Sequence, residues 1–142
     1  MINDVKLLNH IHQNADMGRD SLRHILDLSK SSELSSAVRM QIDDYEKTYI
    51  ASEKMLKDRG AVAEDARATS KFMANMGSRM EAMMDSSESK LAEMVIQGST
   101  MGITNLTKQL HDYNGDDENV KSFAQQQIEK EQDNIERMKR FL

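Results

Sequence analysis

An all-α four-helix bundle is the fold this sequence predicts, and three observations carry it. Proline is absent and only six glycines occur in 142 residues, so little in the chain interrupts a helix. Apolar residues recur every three or four positions through four long segments, the signature of a buried helical stripe. Short turn-forming links join the first segment to the second and the third to the fourth, which sets each pair antiparallel. Residues 1–142 are one domain's worth, long enough to bury a real core.

The first predicted helix runs roughly from Asn3 to Ser29, with Leu8, Ile11, Ala15, Gly18, Leu22 and Ile25 on one stripe. The second, about Ser35 to Arg59, repeats the pattern with Val38, Ile42, Tyr45, Tyr49, Ser52 and Leu56, and Gly60 is a natural stop. The third ends near Tyr113, before Asn114-Gly115. Its stripe is Leu91, Met94/Val95, Gly98, Met101/Gly102, Asn105/Leu106 and Gln109. Three starts fit it: Ser78-x-x-Glu81 after Gly77, Asp85-x-x-Glu88, or an unbroken helix from about Thr69. Asp116 or Asp117 caps the fourth helix, whose stripe is Val120, Ala124, Ile128, Glu131, Ile135, Met138 and Leu142.

The connections predict the topology. The link from Gly60 to Gly77, about 18 residues including an apolar-faced stretch at Phe72 and Met73, can traverse a helix of about 40 Å if partly extended. Short, long, short is the connectivity of ferritin-like bundles with one crossover between the second and third helices. An up-down-up-down bundle is the runner-up.

Composition excludes several functions. A net charge of −5 argues against a nucleic-acid binder, which needs a basic face to neutralise phosphates. No apolar run approaches the ~20 residues of a membrane span, and no secretory signal is visible at MINDVKLLNH. Cysteine is absent, which removes disulfides, thiolate nucleophiles and zinc–thiolate sites. A cytoplasmic protein is expected.

The waist of such a bundle is where metal would sit. None of the eleven glutamates is followed three residues later by histidine, and the nearest match is Glu131-x-x-Asn134. Antiparallel pairing sets Ala15 and Gly18 level with Tyr49 and Tyr45, and Gly98 and Met101 near Asn134 and Glu131. The first and third helices offer no inward carboxylate, and Glu93 projects away from its stripe. One carboxylate cannot hold two divalent ions tightly. The polar waist cluster is therefore Tyr45, Tyr49, Gln127, Glu131 and Asn134. A buried Glu131 would need a phenol from Tyr45 or Tyr49, aided by Gln127, Asn134 or Asn105; otherwise the fourth helix rotates and places it at a wet edge.

Other patterns have ordinary readings beside sharper ones. Met73, Met76, Met80, Met83, Met84, Met94 and Met101 make seven of twelve methionines; core or interface filling explains them, and Cu(I) binding is the sharper account. Gly98-x-x-x-Gly102 permits close helix approach opposite Gly18, or else lines a pocket. His10, His24 and His111 are expected at the surface, and His12 alone flanks the waist. Ile96, Ile103 and Leu110 form a second stripe, and Met40 and Ile50 also point outward, a surface suited to a homodimer interface.

The run Ala92-Glu-Met-Val-Ile-Gln-Gly-Ser-Thr-Met-Gly-Ile103 after Asp85-Ser-Ser, the opening Asp4-Val-Lys-Leu-Leu-Asn9 and the closing Asn134-Ile-Glu136 carry a likeness. Together they resemble a family of uncharacterised ferritin-like proteins from anaerobic Gram-positive bacteria, over most of the chain. The resemblance implies the ferritin-like fold and brings no established activity. Within the wider superfamily, Glu131 and Asn134 would occupy the Glu and His positions of the fourth-helix motif, with asparagine replacing the histidine. The expected function is a non-catalytic, self-associating bundle with a structural or protein-interaction role and no cofactor. The alternatives are an iron- or manganese-binding stress protein using Glu131, His12 and Tyr45, and a small-ligand binder at the waist.

Overall fold

The computed structural model describes residues 1–64 and 85–142. The described residues form four helices, α1 (Asp4–Leu28), α2 (Ser32–Asp58), α3 (Glu88–Asp112) and α4 (Glu118–Met138), the last continuing into a 3₁₀ turn at Lys139–Phe141. Each helix begins on a polar residue that satisfies an otherwise free backbone N–H. Asn3 accepts from the Lys6 amide, Ser31 from Leu34, Ser87 from Lys90, and Asp117 from Asn119 and Val120. Losing one such cap costs about 1 kcal/mol. Helix α2 ends where Gly60 adopts φ +69°, a left-handed conformation that glycine takes without strain. There the Gly60 amide donates to Lys57 O and the Ala61 amide to Leu56 O, both at 2.9 Å, the paired bonds of a Schellman ending.

Two apolar clusters fix the direction of every helix. Leu7, Leu8, Leu56, Leu106 and Val120 meet at one end, which brings together the start of α1, the ends of α2 and α3, and the start of α4. Ile25, Leu34, Leu91, Met138 and Phe141 meet at the other. Helix α2 therefore finishes at the end opposite the one where α3 begins, and the two helices run parallel. This is the short, long, short connectivity, and the up-down-up-down alternative is excluded. Helix α1 lies beside α2 and α3, α4 lies beside both as well, and α2 and α3 occupy a diagonal.

Residues 85–87 are not helical and Ser87 caps α3, so an unbroken third helix from Thr69 is excluded. The start lies beside the second of the two capping candidates. The Gly77 stop with Ser78-x-x-Glu81, the crossover stretch at Phe72, and Met73, Met76, Met80, Met83 and Met84 lie outside the described residues.

The four rods are tied at one end by a polar clasp. The Tyr113 hydroxyl donates to Asp4 Oδ1 at 2.5 Å and accepts from the Asp117 amide at 3.2 Å. Arg59 reaches Asp117 Oδ2 at 2.6 Å. The Ile2 amide adds a bond to Asp112 O, and the Asn114 amide one to Ile2 O. Beyond Gly60 the Glu64 amide donates to Asn9 Oδ1 at 2.9 Å, which lays the first residues of the crossover against α1. At the other end, the Ser31 hydroxyl donates to Glu88 Oε1 at 2.7 Å and joins the α1–α2 link to the start of α3.

Candidate functional site

Between the two apolar clusters lies a band of buried polar side chains. Helix α2 turns Leu34, Val38, Gln41, Tyr45, Thr48, Ser52 and Leu56 inward, a 4-3-4-3-4-4 spacing that places polar residues at the waist and leucine at each end. Helix α4 turns in Val120, Ala124, Gln127, Glu131, Asn134 and Met138. The predicted stripes differ from these at Ile42, Tyr49, Ile128, Ile135 and Leu142. The first four are only half-buried and Leu142 is exposed. Their neighbours Gln41, Thr48, Gln127 and Asn134 take the inner positions because α2 follows its phase from Leu34 to Leu56 and α4 follows its own from Val120 to Met138.

Glu131 sits at the centre of the band, 2% exposed. The Tyr45 hydroxyl donates to its Oε1 at 2.5 Å. Having spent its proton, the Tyr45 oxygen accepts from Gln41 Nε2 at 3.4 Å, and the same amide donates to Ser99 Oγ at 3.3 Å. That sequence of donors fixes the orientation of Gln41, since its carbonyl oxygen could not donate to either partner. Gln41 Oε1 and Glu131 Oε2 are left buried with no hydrogen-bond partner. One turn along, the Thr48 hydroxyl donates to Gln127 Oε1 at 2.7 Å. Gln41, Thr48 and Ser99 were not among the predicted site residues; the sequence signal for the first two is the uninterrupted three-four spacing through α2.

Burial is the main electrostatic force here. It pushes the Glu131 carboxyl up to about 7, while the Tyr45 phenol and the nearby Ser99 hydroxyl pull the other way. Burial and the adjacent Glu131 charge hold the Tyr45 phenol well above its ordinary range. The carboxyl thus changes charge near neutrality and the phenol stays a donor.

The other sequence candidates are placed elsewhere. Tyr49 is half-buried, its ring 4.1 Å from that of His12 and 4.4 Å beneath the Arg19 guanidinium. His12 Nδ1 lies 2.8 Å from Ser52 Oγ. Ser52 Oγ also stands 2.9 Å from Tyr49 O, so His12, Ser52 and the Tyr49 carbonyl form one local group. Burial pushes the His12 pKa down, in keeping with a neutral ring. The proposed metal trio of Glu131, His12 and Tyr45 is therefore split between two separate hydrogen-bonded groups. Among the described residues no three His, Cys, Asp or Glu side chains cluster as a metal site would require. Asn134 is buried next to Glu131 along α4.

Three helical glycines shape the waist in different ways. A Cβ on Gly18 would stand 2.6 Å from the Tyr45 ring, so the missing side chain makes room for the phenol. A Cβ on Gly102 would stand 2.7 Å from Glu131 Oε2 and 3.1 Å from Asn14 Oδ1, so these two oxygens approach the bare backbone of α3. Gly98 meets no atom within 4 Å. It faces a cleft between α1 and α3, floored by Gln41, Tyr45, Ser99 and Glu131 and walled by Met17, Leu22, Ile25, Met94 and Val95. The space open to the centres of water molecules is about 40 Å³, more than the ~10–15 Å³ that one water needs.

The predicted interface does not form one surface. Met40 and Ile50 are 55% and 59% exposed on α2, whereas Ile96 and Leu110 on α3 are half-buried against the two apolar clusters. Ile103 is half-buried as well. With α2 and α3 on a diagonal, the outward faces of the two helices look in different directions. No helix among the described residues is long and apolar enough to cross a membrane.

No family model, no curated protein and no solved structure matches the chain.

A carboxyl raised from 4.5 to about 7 binds its proton more tightly in the folded chain. Its contribution to stability is therefore full below about pH 4.5, falls as pH rises through about 7, and is flat above, a total of about 3 kcal/mol. The Glu131→Gln variant keeps an acceptor for Tyr45 and should lack that slope; equal slopes in urea melts of the two proteins would contradict the buried placement. Gly98→Ala should stabilise by up to about 1 kcal/mol through helix propensity, and Gly18→Ala should destabilise by about 1–3 kcal/mol through overpacking. Shifts of the same sign in the two variants would show that the glycines do not play distinct roles.

Proposed function

We propose that this chain works by binding rather than by catalysis, holding a small, largely apolar molecule in the waist cleft between α1 and α3. One observation carries the reading: Glu131 Oε2, a buried carboxyl oxygen with no partner among the described residues, belongs to a residue lining a cleft whose walls are mostly aliphatic and methionine side chains. Unpartnered buried acceptors are rare because they forfeit solvation without return. A ligand that covers the floor removes that penalty. Gly98 supports the same reading, since a glycine inside a helix costs about 1 kcal/mol and no packing contact among the described residues accounts for it. The short, long, short connectivity favours a ferritin-like bundle as the scaffold, and the cysteine-free sequence suits the cytoplasm.

A ligand panel followed by thermal unfolding tests the proposal. Small apolar molecules with one polar head should raise the melting temperature of the wild-type chain and leave Gly98→Leu, whose side chain would fill the cleft, unmoved. An equal shift in both proteins, or no shift in either, would refute it.

Self-association is a second reading, favoured by the exposure of Met40 and Ile50 on the outer face of α2. Light scattering should then give a dimer that Met40→Glu or Ile50→Glu dissociates. A monomeric wild type at about 100 μM, well above a micromolar affinity, would remove this reading.

A further inference from the structure

From the inventory of donors and acceptors at the cleft floor, we infer that the polar head of the ligand is a hydrogen-bond-donating cation, a primary ammonium carried on a short aliphatic chain. The inference rests on the binding reading above and names the chemistry of its ligand.

Two donors at the floor are already committed. Tyr45 gives its only proton to Glu131 Oε1, and Gln41 Nε2 points both of its own at Tyr45 and Ser99. Among the described residues Glu131 Oε2 and Gln41 Oε1 are buried without a partner, and Asn14 Oδ1 stands with Glu131 Oε2 over the bare backbone of Gly102; the Ser99 hydroxyl and the Asn14 and Asn105 amides add donors to the lining. An ammonium group has three N–H bonds and no acceptor, which suits a floor whose one carboxyl has an oxygen to spare. A ligand carboxylate or phosphate would meet Glu131 as a like charge.

Among the described residues no lysine, arginine or histidine lines the cleft. Arg19, next to Gly18 in α1, is engaged instead by Asp16 at 2.5 Å and Glu46 at 3.1 Å. A divalent metal is a poor match, because such ions take six or more oxygens with several charged donors and the floor offers one carboxyl. The methionine and aliphatic walls then suit the methylenes attached to the nitrogen, each worth about 0.8 kcal/mol when buried.

Calorimetric titration of the full-length chain with butylammonium, 1-butanol and butyrate, at matched ionic strength, separates the head-group inference from the cleft reading. Butylammonium should bind at least about tenfold more tightly than 1-butanol, as expected for hydrogen bonds to a charged acceptor, and butyrate should bind least. The Glu131→Gln variant, checked for folding by circular dichroism, should lose the preference for the amine while its affinity for the alcohol stays within about twofold. If the alcohol binds wild type as well as the amine does, the cation inference falls and the cleft reading stands. If none of the three binds, both fall. A comparable gain from potassium or sodium chloride alone would assign the floor to a metal cation and overturn the ammonium. The wild-type comparison decides the question even if the variant does not fold.

Discussion

A carboxyl group buried among four helices must be made tolerable by its neighbours, and the middle of this bundle is organised around that requirement. Glu131 is held by one short hydrogen bond from Tyr45, and each surrounding residue answers a need created by the pair. Gly18 gives the phenol ring room against α1, and Gly102 lets the second carboxyl oxygen approach α3. Gln41 satisfies the phenol oxygen once its proton is spent and passes the network on to Ser99. A bond to a charged group contributes about 1.5–3 kcal/mol, while an unpartnered buried oxygen gives back about 1–3 kcal/mol. The waist is thus near balance in stability, and its specificity is local: few other side chains could stand at 18, 45, 102 and 131 together.

Stability has to come from the ends. The two apolar clusters contain the fully buried leucines, Leu7, Leu8 and Leu56 in one and Leu34 and Leu91 in the other. The Tyr113–Asp4–Asp117–Arg59 clasp closes the end that carries the tight α3–α4 turn. A bundle anchored at both ends can keep an open, polar middle without losing cooperativity. That division of labour explains how a small domain supports a cleft flanked by two glycines. The crossover follows from it as well: with the ends of α2 and the start of α3 at opposite clusters, parallel diagonal helices leave every adjacent pair antiparallel.

Most of the architecture was legible in the residues. Proline-free helices, their stripes, the caps and the short, long, short links follow from local chemistry, because each depends on neighbours within a few positions. The level of the waist was legible too: pairing across the first turn sets Gly18 beside Tyr45, and the contact is there. The faces of α2 and α4 were harder. Ranking by hydrophobicity prefers Ile42 and Tyr49 to Gln41 and Thr48, whereas the fold keeps the phase that joins Leu34 to Leu56 and accepts polar residues between them. His12 illustrates another limit. Its partner, Ser52, lies forty residues away, and only the three-dimensional arrangement brings the two together. The outer stripes of the second and third helices looked like one interface because sequence does not reveal that these helices are diagonal.

The central physical claim is that Glu131 is buried and held by Tyr45, so that its carboxyl changes charge near neutrality rather than in the ordinary acidic range. Labelling the glutamate carboxyl carbons with ¹³C and following their chemical shifts with pH reads that property directly. The Glu131 resonance, assigned by its disappearance in Glu131→Gln, should titrate with a midpoint near 7. A midpoint close to 4.5, in line with the exposed glutamates, would place the side chain in solvent and contradict the account.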